Sequence, residues 1–524
     1  MYMGTCKRII FFIATVCCFL LQTALAQTPS IELLSNQPLL LRFDYLAAGN
    51  TSPQKSIRFR ALNLKSSLLI SAPEGFEISK NNVSYAPSQT FLLTELSTAN
   101  TLFVRFKPLE NNKGYGGSLV FSSSNTTLQR PDLSASSIAT NLTLDVVCWN
   151  LEWFGGSLGP DNNLLQAQHA IQVMDSLNAD IYLLQEIVDT ALLGYVSRNI
   201  ANGPYEYAVS LFASNAEDPS NGNWRSGQKL AFLYKRNIFS NVRTRRFTAS
   251  NTNNINEYNW ANGRYPFRMD ASVNLGGISK KVSFINLHAK AEQGDPNDYY
   301  RRKGAADLMY DSLTSQYPND YYLIGGDYND DLDVTISKAV TDTITPYYSF
   351  MSDDFRFSPI SFWNSQRGDN SYVGSPNMVD HAIASYQMTR DYVPFSCVLR
   401  KEVTDWIPNY GNELSDHYPV ESRFDLQQSP SNIITSLNPI PALKEAIQII
   451  NIAHTDPLVK FITHVKGNVS LKLMSADGRI LWSEQPKNIQ SGTVFRIPAT
   501  GLPQGLYLLT VGSPNGVLSE KIIR

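Results

Sequence analysis

From Ile31 to Ile138 the chain alternates apolar and polar residues in short runs broken by turn residues. Ser56–Leu64 and Thr101–Lys107 alternate with period two. Leu68–Ser79 holds two runs around a Pro-Glu-Gly turn (APEGFEIS), and Gly116–Ser122 closes the series. Period-two alternation buries one face of a strand and leaves the other wet, so this region is predicted to be a β-sandwich. Ser122–Asn141, rich in Ser, Thr and Asn, reads as a last strand plus a linker. Beyond it the pattern changes. Leu142–Trp149, Asp180–Leu184, Leu230–Tyr234, Val282–Leu287 and Tyr321–Gly325 are nearly continuous apolar runs of strand length, as expected of strands covered on both faces. Leu164–Leu177 and Asp298–Tyr317 read as helices between them. Gly325-Gly326 is expected to turn the chain sharply at the end of its strand. Leu426–Pro457 is polar, Pro-containing and irregular, and reads as a linker. From Val459 the strand pattern returns in VSLKLMSADGRILW, VFRIPATGLPQGLYLLTVG and VLSEKIIR, with Asp477-Gly478 as a hairpin turn.

A chain of 524 residues exceeds one domain, and about three or four are expected. The formal net charge of −2 argues neither for nor against a polyanionic partner. Lys7-Arg8, the apolar run Ile9–Leu21 and the small-x-small site Ala24-Leu25-Ala26 make residues 1–26 an export signal. The run is short for a membrane span, and no other stretch is apolar enough to cross. Cys6, Cys17 and Cys18 leave with the signal. Cys148 and Cys397 lie in apolar stretches and are expected to be buried thiols.

Chemistry-bearing residues collect at strand ends: Asn150, Glu186, His288, Asp327 with Asn329, Asp380, and Asp416 with His417. Strand ends are held rigidly by the sheet while loops vary, which is where ligands gather in mixed α and β folds. A carboxylate beside His417 would fix the ring's tautomer and raise its basicity, and Asp380 is the candidate. Oxygen donors without a thiolate cluster suit Mg²⁺ or Mn²⁺. His169, His381, His454 and His464 have no partner pattern and read as structural or surface residues. Arg243, Arg245 and Arg246, and Arg301, Arg302 and Lys303, are basic runs best read as solvated faces. Trp153, Trp224 and Trp260 sit in loop-like contexts.

The segments VVCWNLEWF, YLLQEI, FINLHAK, IGGDYND, MVDHAIAS and LSDHYPVE, in that order, resemble the endonuclease/exonuclease/phosphatase superfamily with its deoxyribonuclease I-like fold. The resemblance covers residues 143–425 and implies a metal-dependent phosphoric ester hydrolase built as a four-layer α+β sandwich. It implies Glu186 as the main metal ligand, with Asn150 and Asp416 as further ligands or as groups that support the ligands from behind. It also implies Asp380 and His417 against the scissile phosphate, Asp327 or His417 as the base, Asn150 and Asn329 on the phosphate, and His288 as a candidate acid. Arg264, in GRYPF, resembles the family's phosphate-contacting arginine. The sequence departs from pancreatic-type nucleases at Val188, where an arginine often stands, and at Gln228, where a carboxylate would support His288. A structural Ca²⁺ is a further candidate ion.

Residues 30–138 resemble Ig-like modules of secreted Bacteroidetes proteins, here a spacer or adhesive module. Residues 458–524, after the linker at 426–457, resemble the type IX secretion sorting domain of the same phylum. The expected whole is a secreted or cell-surface nuclease acting on extracellular DNA or RNA, with the type IX machinery as its export partner. The alternatives are a phosphatase or phosphodiesterase on small or lipid head-group esters, sphingomyelinase-like, and a catalytically silent surface binding protein. Oligomeric state is left open.

Overall fold

The computed structural model describes residues 28–97, 99–124, 126–247, 254–291, 294–341, 343–353, 356–427, 447–450, 456–461, 465–475, 480–490, 492–499, 502–503, 505–513 and 516–523. The export segment, most of the 426–457 linker, His454, His464 and the Asp477-Gly478 turn lie outside the described residues. The chain divides into two compact units, one through Gln427 and one from Gln428 onward.

The first unit begins with nine strands: β1 (Ser30–Leu33), β2 (Leu40–Tyr45), β3 (Lys55–Leu62), β4 (Leu68–Ser71), β5 (Phe76–Ser79), β6 (Ser88–Phe91), β7 (Asn100–Phe106), β8 (Gly114–Ser123) and β9 (Thr126–Ser136). They form two sheets, ordered β1-β3-β7-β5 and β2-β9-β8-β4-β6. Phe59, Phe76, Phe106 and Phe121 fill the core between them. β7 shows the cause, since every second residue from Asn100 to Phe106 is buried. The Ser/Thr-rich stretch expected to hold a linker is mostly β9, which lies between β2 and β8. The true connection is Ser137–Leu142, and even there Ile138 is buried.

Twelve further strands build the central region: β10 (Thr143–Phe154), β11 (Ile181–Ile187), β12 (Tyr205–Val209), β13 (Lys229–Lys235), β14 (Phe239–Arg246), β15 (Phe267–Leu275), β16 (Ile278–His288), β17 (Tyr322–Asp327), β18 (Phe357–Ser358), β19 (Asp380–Ser385), β20 (Val398–Leu399) and β21 (Val420–Asp425). They make two six-stranded sheets, β12-β13-β11-β10-β21-β20 and β14-β15-β16-β17-β19-β18. The main helices are α1 (Asn163–Leu177), α2 (Thr190–Asn199) and α3 (Pro296–Gln316). α3 opens at Pro296, ahead of the expected start, because Asp295 caps it by accepting from Asn297 N and Pro suits the first turn.

β10 explains the unbroken apolar runs. Leu144, Val146 and Cys148 enter the core shared with Phe284 and Leu323 of the second sheet. Val147, Trp149 and Leu151 pack with Ala170, Val173 and Met174 of α1 and Leu193 and Val196 of α2. Both faces are covered, so neither can be polar. α3 covers the second sheet with Ala305, Ala306, Met309 and Leu313.

Gly325 and Gly326 do not turn the chain; β17 runs through both to Asp327. A Cβ on Gly325 would stand 2.3 Å from Cys148 Sγ, so this glycine lets the two sheets approach. Gly326 has φ +140°, and a Cβ there would lie 2.1 Å from Leu287 O.

Among the described residues the second unit is all β, with sheets β22-β23-β28, β24-β27 and β26-β25-β29-β30. Its strands are β22 (Ile447–Ile450), β23 (Leu458–Phe461), β24 (Val465–Asn468), β25 (Ser470–Ser475), β26 (Ile480–Glu484), β27 (Lys487–Ile489), β28 (Val494–Arg496), β29 (Leu506–Ser513) and β30 (Gly516–Ile523). β22 falls within the stretch read as linker, because Ile447–Ile450 pairs with β23. Among the described residues no helix is long and apolar enough to cross a membrane.

Candidate active site

Strand direction brings the polar ends together. β16 and β17 are parallel and β19 is antiparallel to β17, so His288, Asp327 and Asp380 occupy adjacent positions across three strands. Asp327 shares the face of Leu323 and Gly325, which looks toward the first sheet. In that sheet β10 and β11 are parallel, and Asn150 and Glu186 lie at the irregularity near their far ends. β21 is antiparallel to β10, so the loop before Val420 delivers Asp416 and His417 to the same end. Serine hydroxyls fasten that loop: Ser415 Oγ donates to Asn150 O at 2.6 Å and accepts from His417 N at 3.0 Å. Trp149 Nε1 donates to His417 O at 3.1 Å from below.

The two sheets meet through Asn150. Its buried amide nitrogen donates to Glu186 Oε1 at 3.1 Å and to Asp327 Oδ2 at 3.0 Å. Its amide oxygen accepts from Glu152 N at 3.0 Å. Glu186 has φ +62°, and Glu152 and Trp153 are also left-handed, where the β10–β11 pairing breaks register. This bulge aims Trp153 N at Glu186 Oε2, 2.9 Å away. Asp327 Oδ1 accepts from Asn329 N at 2.9 Å, and Asn329 Nδ2 donates to Ala289 O at 3.2 Å.

His417 Nδ1 lies 2.7 Å from Asp380 Oδ2, and Asp380 is fully buried. The other ring nitrogen faces Asp416 Oδ1 at 3.8 Å and Asp327 Oδ2 at 3.9 Å. Burial alone would lower the imidazole's pKa, but Asp380, Asp327 and Asp416 outweigh it and hold the pKa well above the ordinary histidine value. Burial pushes the Asp327 carboxyl up to about 7, against the pull of His417. His288 goes the other way: burial, then Arg264 and His417, keep its pKa well below the usual range. Its Nε2 sits 3.4 Å from Asp327 Oδ2 and 3.7 Å from Glu186 Oε1.

The residues expected at the site come together there, and the hydrogen bonds show how Asn150, His288 and Arg264 are held. Asn150 uses its amide nitrogen to tie Glu186 to Asp327, as a brace between the two carboxylates. His288 faces the carboxylates of Asp327 and Glu186, and burial holds its pKa well below the usual range. No carboxylate supports it: its Nδ1 has no partner among the described residues, and Gln228 accepts instead from Arg264. Arg264 is buried, and its guanidinium donates to His288 O at 3.0 Å and Ala289 O at 2.9 Å. It therefore holds the end of β16.

Glu152 belongs to the site and was missed. Burial, then Asp416, pushes its carboxyl up to about 7, and Glu186 adds to the shift. Its Oε2 accepts from Asp416 N at 3.1 Å. The signal was present, since Glu152 is two residues beyond Asn150 and so lies on its side of a strand. Tyr372 was also missed. Its ring centroid is 5.1 Å from that of His417, and its hydroxyl bonds Asp416.

Of the histidines set aside, His381 is structural: its ring nitrogens lie 3.1 Å from Ser361 Oγ and 3.1 Å from Met378 O. The run at 301–303 is not a solvated face. Arg302 is buried on Asp330 at 3.0 Å, Arg301 packs on the Tyr258 ring, and Lys303 alone of the three is exposed. Trp260 is core.

No family model matches this chain, and no curated protein does. Similar solved structures include the human Nocturnin catalytic domain with bound sulfate, at 16% identity and TM-score 0.35, covering 54% of this chain and 94% of that one. An endonuclease/exonuclease/phosphatase from Beutenbergia cavernae aligns at 12% identity and TM-score 0.40, covering 72% of this chain and 100% of that one. Another, from Bacteroides vulgatus, aligns at 15% and 0.37, covering 54% and 99%.

Proposed function

We propose that this protein is a divalent-metal-dependent phosphodiester hydrolase whose substrate is nucleic acid outside the cell. The observation that supports this reading most is the convergence of a His417–Asp380 pair with Asp327, Asn150 and Glu186 where the two sheets end. The donor set fits a hard cation. Burial pushes the carboxyls of Asp327 and Glu152 up to about 7, and the nearby Arg264 spends donors on backbone carbonyls. Glu186 would hold Mg²⁺ or Mn²⁺, with Asp327 and His288 on one side and Glu152 and Asp416 on the other. When bound, such an ion supplies positive charge to the phosphate and to the departing oxygen.

The chain's own groups divide the remaining work. His417, kept charged by Asp380, donates from Nε2 to a phosphoryl oxygen and is not the base. Asp327 takes the proton of the attacking water, and its raised pKa matches that task near neutrality. Asn150 and Asn329 N fix which oxygen of Asp327 faces the substrate. Arg264 keeps the end of β16 in place. The partly exposed rings of Trp153 and Tyr372 beside these groups favour a substrate carrying bases. The export segment and the β-rich C-terminal unit support secretion through a type IX route.

Purified protein incubated with supercoiled plasmid, single-stranded DNA and RNA tests this reading, with sphingomyelin and a phosphomonoester in parallel. Nicking with Mg²⁺ or Mn²⁺, abolished by EDTA and by His417→Ala, is the expected result. Turnover of the small esters alone would replace the nucleic-acid reading, and silence on all of them would overturn hydrolysis.

A further inference from the structure

The segment Asp369–Val373 stitches the start of β19, at Asp380, to the loop that carries His417. On one side, Val373 N donates to Asp416 O at 2.7 Å and Tyr418 N donates to Ser371 O at 2.8 Å, bracketing His417. On the other, Ser371 Oγ accepts from Val379 N at 2.9 Å and Asp380 N at 3.0 Å. Tyr372 lies between, its ring against His417. The distance between His417 and Asp380 therefore depends on where this short segment sits.

Its position is set from outside the central sheets. Arg367 precedes it and is buried, with a side chain only 2% exposed. The guanidinium grips Asp369 through Nε at 2.8 Å and Asn364 through Nη2 at 2.6 Å. Its Nη1 donates to Asp132 Oδ2 at 3.1 Å, on β9 of the N-terminal sandwich. Asp132 is itself fixed by Ser118 Oγ of β8, which donates to Oδ1 at 2.5 Å. The same seam is closed beside it. Ser134 Oγ donates to Phe395 O at 2.7 Å, and the Phe395 ring fills the space where a Cβ on Gly116 would stand, 2.3 Å from its Cγ. The Arg367 guanidinium lies over the Trp363 ring at 4.3 Å, and Trp363 meets Phe395 edge-on.

We propose that the N-terminal sandwich is a working part of the site: Asp132 and Arg367 are positioning residues that hold the Asp369–Val373 segment, and through it the His417–Asp380 pair. A buried guanidinium needs both carboxylates. Losing Asp132 leaves Arg367 free to tilt toward Asp369 and draws the segment with it. The proposal rests on the hydrolase reading only for its kinetic consequence.

The test uses the full chain carrying Asp132→Asn, with Asp132→Glu as the charge-restoring control. The readout independent of substrate is the downfield Nδ1 proton resonance of His417, identified by its loss in His417→Gln. In Asp132→Asn this resonance is expected to move or broaden, and kcat to fall about tenfold with little change in KM. Asp132→Glu is expected to restore both in large part. An unmoved resonance in Asp132→Asn would overturn the proposal, whatever happens to the melting temperature. Should Asp132→Asn not fold, Ser118→Ala removes the hydroxyl that orients Asp132, and the same shift is expected at smaller amplitude; no shift there would equally overturn it. A moved resonance in a protein that hydrolyses no phosphoester would sink the hydrolase reading and leave this one standing.

Discussion

At the residue scale, environment assigns the roles. Two histidines and three aspartates gather where the sheets end, yet the pKa of His417 is held well above the ordinary value and that of His288 well below it. The difference is Asp380, which lies against one ring and not the other. Asp380→Asn should keep the fold and lower kcat by about 10²–10⁴-fold, the range for losing a positioned proton-transfer group; single-turnover rates alongside circular dichroism check it. Gly325 offers a second test. Gly325→Ala places a methyl against Cys148 Sγ and should cost about 1–3 kcal/mol of stability, as overpacking does. Cys148→Ala should relieve most of that in the double variant, and urea melts of the four proteins would show additivity instead if the contact is irrelevant. The sequence announced the glycine pair but suggested a turn. Only the facing strand reveals that Gly325 makes room for a sulfur.

At the element scale, the basic start of α3 behaves as a clamp. Arg302 reaches Asp330 at 3.0 Å, and Asp330 also accepts from Thr335 Oγ1 at 2.9 Å and Ile336 N at 2.8 Å. The pair ties α3 to the loop that follows Asp327. Arg302→Met should destabilise by about 3–5 kcal/mol, because it strands a buried carboxylate. Asp330→Asn should cost less, since the amide oxygen still accepts. Thermal melts in which the two variants are equal, or both neutral, would refute the clamp. A run of three basic residues reads as a wet face in sequence. Whether a helix face is wet depends on what lies opposite, and the loop at 330–336 lies opposite this one.

At the scale of the whole molecule, residues through Gln427 make one compact unit although two β-rich patterns are visible in them. Arg42 of the sandwich reaches Glu402 at 2.9 Å, in addition to the Asp132–Arg367 pair. The sandwich and the central region are therefore expected to melt together in one calorimetric transition, and two transitions within this unit would contradict that. Cys148 and Cys397 are buried and unpaired, and burial pushes both thiols up. In the chain lacking residues 1–26, both should stay silent to a thiol reagent until that transition and then react together. The sequence by itself determined the element types, because covered strands leave unbroken apolar runs and half-covered strands alternate. It also determined which polar residues end those strands, from Asn150 to His417, since position at a strand end is local information. Tertiary structure alone decided how those ends are used. Asn150 braces two carboxylates, Arg264 clamps backbone carbonyls and His288 has its pKa pushed down because burial and neighbours from other strands set charge and donor use, and neither is written in local spacing. Glu152 and Tyr372 joined the site for the same reason: they stand beside Asp416 and His417 only once β21 lies against β10.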